Sequence, residues 1–90
     1  MNHQVASMDR KIFDMRLDVE AVSTYILCCA LKDAGTPVCV KHLKEKWNGE
    51  IAALEKGLVQ LEKRNVISKA MENQHDPKQE YILLKSSVWQ

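Results

Sequence analysis

NGEIAALEKGLVQLEKRNVI, residues 48–67, is the stretch on which the reading of this chain turns. Ile51, Leu54, Leu58 and Leu61 recur at i, i+3, i+7 and i+10, the spacing of one apolar stripe along a helix. Asn48-Gly49 before the stripe is a turn signal, and Asn48 is also a candidate cap. Asn65 after it stands where a helix ends in the left-handed conformation, which Asn tolerates better than most residues. The spacing therefore predicts a helix over 49–64, entered from a tight turn and left into an apolar, strand-like segment.

Upstream, Asp18 is placed to cap a helix and Glu20 to favour its first turn. Val19, Val22, Ile26 and Ala30, with Leu27 and Leu31 beside them, repeat at helical spacing and are expected to face the core. Gly35 and then Pro37 stop that helix. VCV (38–40) is a short extended piece leading into KHLKEKW, where Val40, Leu43 and Trp47 share a face for about two turns of helix. Downstream, VISKAM and EYILLK are strand-like and enclose the polar ENQHDPKQ, which makes a hairpin with a long tip. Residues 1–8 are expected to be a flexible terminus, and 9–90 a single domain.

The totals narrow the function classes. Thirteen Lys and Arg against twelve Asp and Glu leave a formal charge of +1, so nucleic-acid binding must come from a local patch. No run approaches the ~18–20 apolar residues of a membrane span. The opening MNHQVASMDRK has no apolar signal-peptide core, so a cytoplasmic location is expected. Cys28, Cys29 and Cys39 are an odd number, and the first two lie among apolar residues as reduced core thiols do. Cys39 and His42 have CxxH spacing, which Cys28 or Cys29 would have to complete as a metal site; the second ligand pair of structural zinc is missing. The same two residues form the one nucleophile–base pair in the chain, with no paired carboxylates, triad or phosphate loop nearby in sequence. The expectation is a protein that is not an enzyme and holds no metal or cofactor. Tyr25 and Tyr81 are expected to anchor packing with their hydroxyls near the surface.

The order is helix, extended piece, helix, tight turn, helix, hairpin: mainly α with a small β-hairpin. LDVEAVSTYILCCAL, VCVKHLKEKW, LEKGLVQLEKRNVI and EYILL, spanning residues 17–84, resemble the winged helix-turn-helix domains of bacterial, plasmid and phage regulators and replication initiators. The most distinctive piece is LVQLEKRNVI, similar to the end of the recognition helix in that superfamily. The KIF and LDVEAVSTYIL segments are similar to the start of replication-initiator winged helices. Asn65 stands where the family usually has Gly. Glu50, Ile51, Ala52 and Ala53 stand where it tends to place Ser, Thr or Arg. The resemblance implies a three-helix core with a helix-turn-helix, a recognition helix at 49–64 and a C-terminal two-stranded wing at 66–85.

A rotation of ~100° per residue turns Ala52, Ala53, Lys56, Val59, Gln60 and Lys63 away from the apolar stripe. It turns Glu55 and Glu62 back toward the stripe's edge. Ala52 and Ala53 are expected to permit close approach to duplex DNA and Lys56 and Gln60 to reach base edges or phosphates, with Lys63 a further DNA-binding candidate on the same face. On the resemblance, Lys41 and His42 of the second helix approach the backbone. Arg64, Lys69 and Lys78 add cations at the helix end and wing. Ile12, Phe13, Met15 and Trp89 supply apolar surface at both ends of the chain for a homodimer. The expected function is therefore DNA binding in transcription control or replication. The alternative is a winged helix used for protein contact within a larger assembly.

Overall fold

A computed structural model describes residues 8–70 and 79–90. After a 3-10 turn at Arg10–Asp14 come three helices, α1 (Val19–Asp33), α2 (Val40–Lys46) and α3 (Ile51–Lys63). A two-stranded antiparallel sheet follows, β1 (Ile67–Lys69) with β2 (Tyr81–Leu83), and a second 3-10 turn at Ser86–Val88.

The stops of α1 and α3 share one construction. Gly35 takes φ +76, its N–H donates to Lys32 O, and Thr36 N–H donates to Leu31 O. Asn65 takes φ 61, its N–H donates to Glu62 O, and Val66 N–H donates to Leu61 O. Both pairs of bonds satisfy carbonyls that a helix end leaves open, and both need a residue that accepts the left-handed region. The helix starts are less conventional. Neither Asp18 before α1 nor Glu50 before α3 makes a side-chain cap bond. Asn48 is not the cap; the turn is held instead by Trp47, whose indole N–H donates to Glu50 O at 2.9 Å.

The apolar stripe of α3 is buried from Leu54 through Leu58 to Leu61, whereas Ile51 at its start is 38% exposed. Gly57 completes the buried face and marks the crossing with α1. A Cβ at that position would lie 2.6 Å from Glu20 O and collide with Thr24 Oγ1. Only a glycine lets the helices approach this closely.

The face expected of α1 is corrected. Ala21, Thr24, Tyr25, Cys28, Cys29 and Leu31 are buried. Val19 is 78% exposed, Ile26 is 40% exposed and Ala30 is exposed. Apolar residues encircle α1, so helical periodicity selects no unique face. Its contact with Gly57 and the aromatic packing at Tyr25 decide the orientation. Tyr25 also differs from expectation in that its hydroxyl is buried, where it accepts the Asp9 N–H at 2.8 Å. Burial raises its pKa above the usual tyrosine value.

Both ends of the described chain close over this core. Ile12 is fully buried, and Trp89 packs edge-on against Tyr25 with centroids 5.5 Å apart while its indole N–H donates to Leu84 O. Arg64 ties them together: its Nε donates to Gln90 O, its Nη2 to Met15 O, and its own carbonyl accepts the Gln90 N–H.

The sheet is shorter than the strand-like sequence suggests, three residues per strand with Ile67 opposite Leu83 and Lys69 opposite Tyr81. Residues 38–40 line its other edge. Tyr81 N–H donates to Val38 O, Val40 N–H donates to Gln79 O, and Cys39 bridges to Glu80. The extended VCV segment thus anchors the start of α2 to the hairpin. The tip expected between the strands falls largely outside the described residues, as do residues 1–7 of the expected flexible terminus; Met8 packs against the core.

Candidate nucleic-acid interface

The outer side of α3 carries the residues expected to meet DNA. Ala52, Lys56 and Lys63 are exposed, and Ala53 and Gln60 are half-buried. Lys56, Gln60 and Lys63 line one shallow cavity of about 390 Å³, together with Val59, Glu55 and Asp18. Val59 is 53% exposed.

The start of α1 forms one wall of this groove, and it alters the chemistry available. Asp18 N–H donates to Gln60 Oε1 at 3.0 Å, so the amide of Gln60 is bound within the chain. Lys56 Nζ lies 3.9 Å from Asp18 Oδ2, with both side chains largely in solvent. A pair of that kind is worth at most about 1 kcal/mol and yields readily to a competing anion. Glu55 is exposed and lines the same groove, which corrects the expectation that it turns toward the buried edge. Two lysines and two carboxylates therefore share the groove around Val59.

The remaining cations divide by what holds them. Lys41 is exposed on α2. His42 is half-buried, its Nδ1 2.9 Å from Pro37 O and 3.3 Å from Cys39 Sγ, so the ring is pinned to the loop that precedes its helix. Lys69 is half-buried on β1. Arg64 is half-buried and its guanidinium binds Gln90 and Met15, so it serves as a clamp between chain ends. Lys78 lies outside the described residues. The ten residues therefore do not act as one set: Lys56 and Lys63 share the groove with Gln60, whereas Arg64 and His42 have structural bonds.

The apolar surface expected for a homodimer is largely internal. Ile12 and Trp89 belong to the chain's own core and Met15 packs against it, while Phe13 is 54% exposed. Neither buried residue is available to a second copy in this fold.

The thiols behave as core groups. Burial pushes Cys28 up to about 12 and Cys29 up to about 11, which keeps both protonated near neutral pH. Among the described residues no group of three His, Cys, Asp or Glu side chains is placed to hold a metal ion. Among them, too, no helix is long and apolar enough to cross a membrane.

Asp18 and Glu55 are the groove residues that the pattern of the sequence did not select. Asp18 is 42 positions from Gln60, and no local spacing relates them. Glu55 is recognisable by rotation alone once Gly57, and not Ile51, is taken as the edge of the buried face. The chain matches no protein-family model, no curated protein and no solved structure.

Proposed function

We propose that this chain is a winged-helix domain that binds duplex DNA through α3 and the β1–β2 hairpin, in transcription control or replication of a bacterial or mobile-element genome, in the cytoplasm. The observation that carries the proposal is the pairing of residues 38–40 with β2. That contact ties the α2–turn–α3 unit to the hairpin that follows it. In this topology the second helix of the unit projects beside a wing. The exposed face of α3 has the properties such a role needs. Ala52 offers no bulk against a groove wall, Lys56 and Lys63 are open to phosphate, and Lys41 adds a cation on the preceding helix. Phosphate displaces Asp18 from Lys56 at little cost, because the pair is solvent-screened.

Binding of this kind is weak and strongly salt-dependent, with a log–log slope of about −0.9 for every phosphate neutralised. The test is titration of mixed-sequence duplex DNA at two salt concentrations with the native chain, Lys56→Glu and Lys63→Glu. Each reversal is expected to weaken binding at least tenfold, on the order of 1.4 kcal/mol or more. Native affinity in both variants would remove α3 from DNA contact.

A second reading is favoured by one observation: Val59 is open to solvent at the centre of a groove whose two lysines are matched by two carboxylates. Such a surface suits protein contact. It predicts no salt-dependent DNA binding by the native chain in the same titration.

A further inference from the structure

Along the outer side of α3 runs a row at four-residue spacing: Ile51, Glu55, Val59 and Lys63, each of them exposed. Rows of this kind are the ridges by which helices pack, and two of them lie along one another when the helix axes cross at about −50°. The charge order along this row is self-complementary. Glu55 and Lys63 stand one helical turn to either side of Val59, so reversing the row exchanges acid for base. We propose that α3 pairs antiparallel with α3 of a second copy of this chain, Val59 against Val59, with Glu55 of each copy facing Lys63 of the other. The same pairing covers the proposed DNA-binding face, so self-association and DNA binding exclude one another.

Three features support this occupant over an unrelated one. The two charge pairs form by symmetry from a single sequence, as a two-fold contact requires. Val59 is an apolar centre with polar neighbours on both sides, the arrangement of a small interface core and its rim. Asp18 lies beside Lys56, so the groove wall does not upset the balance of the row. A parallel arrangement would set Glu55 against Glu55 and Lys63 against Lys63, which selects the antiparallel one. A single helix crossing buries less than the ~1,200 Å² of a stable complex, so the pairing is weak and driven by concentration. The exclusion rests on the DNA reading above, whereas the pairing itself does not.

Sedimentation of the native chain up to concentrations on the order of 100 μM is the first measurement, with dimer expected at the upper end. Glu55→Lys and Lys63→Glu are each expected to weaken association about tenfold or more, because each sets like charges opposite. The double exchange Glu55→Lys with Lys63→Glu restores it. Val59→Asp abolishes it. All these side chains are exposed, and an unchanged thermal midpoint in each variant shows that the fold is kept. A native chain that remains monomeric, or a double exchange no better than either single one, overturns the pairing. Saturating duplex DNA is then added to the native dimer, and conversion to a DNA-bound monomer is expected. A dimer that stays intact on bound DNA overturns the exclusion and leaves the DNA reading standing. A dimer with no bound DNA overturns both the exclusion and the DNA reading, leaving the pairing alone.

Discussion

α1 and α3 pack against each other, and both carry apolar residues at helical spacing, yet only α3 buries most of the stripe that its sequence displays, all but Ile51. On α3 the large apolar side chains gather around Leu54, Leu58 and Leu61, and Glu55, Lys56, Gln60, Glu62 and Lys63 all lie outside that face, so burial has one favourable direction. α1 has Val19, Val22, Ile26 and Ala30 on one side and Ala21, Tyr25, Cys28 and Leu31 on another. Its orientation is set by partners: Gly57 of α3 beneath Thr24, Trp89 against Tyr25, and the Asp9 N–H on the Tyr25 hydroxyl. Regular spacing indicates that a helix forms, but contrast around the circumference is needed to say which way it faces.

The sharpest way to break this comparison is to truncate one residue from each side of α1. Tyr25→Ala removes a buried ring, its contact with Trp89 and a hydrogen bond, and is expected to cost about 3–5 kcal/mol in urea unfolding. Ile26→Ala, one position along, is expected to cost well under about 1.5 kcal/mol because that side chain is already partly in water. A reversed order would place the outer stripe of α1 in the core.

The crossing itself is probed at Gly57. Helix propensity alone favours Gly57→Ala by about 1 kcal/mol. The added methyl meets Glu20 O and Thr24 Oγ1, so a net loss of about 1–3 kcal/mol is expected. A raised melting temperature would mean that α1 and α3 do not approach this closely.

A smaller effect distinguishes the interior of α1 through pH. Cys28 has an ordinary value of 9.0 and is pushed to about 12 by burial. Above pH 9 the unfolded chain releases a proton that the folded chain retains, so stability falls as pH rises and is unaffected below that range. By pH 10 the loss from Cys28 is about 1 kcal/mol, and Cys28→Ala is expected to flatten the decline. Urea midpoints at pH 7, 9 and 10 measure it. Equal declines in both proteins would show that the thiol is open to solvent.

Much of the site was legible for the same reason that α3 was. Rotation about a helix with a clear buried face brings Ala52, Lys56, Val59 and Lys63 outward, as the structure has them. It does not reveal that Gln60 accepts the Asp18 N–H, that Arg64 is occupied by Gln90 and Met15, or that His42 is pinned to Pro37. Each is a bond between a side chain and a main-chain group of another segment, and such bonds leave no periodic trace. The end of the chain shows the same limit. Trp89 and Ile12 look like surplus apolar residues in sequence, and become core only when both ends close over Tyr25.

The sequence by itself determined the order of elements and their stops. Gly35 and Asn65 adopt left-handed backbone for reasons local to a few residues, and the α3 stripe needs no partner to be recognised. Only the tertiary structure decided which face of α1 is buried, where residues 38–40 join the sheet, and which polar groups remain free for a partner. Those outcomes depend on contacts between residues far apart in the chain, where steric fit at Gly57 and competition for hydrogen bonds outweigh local preference.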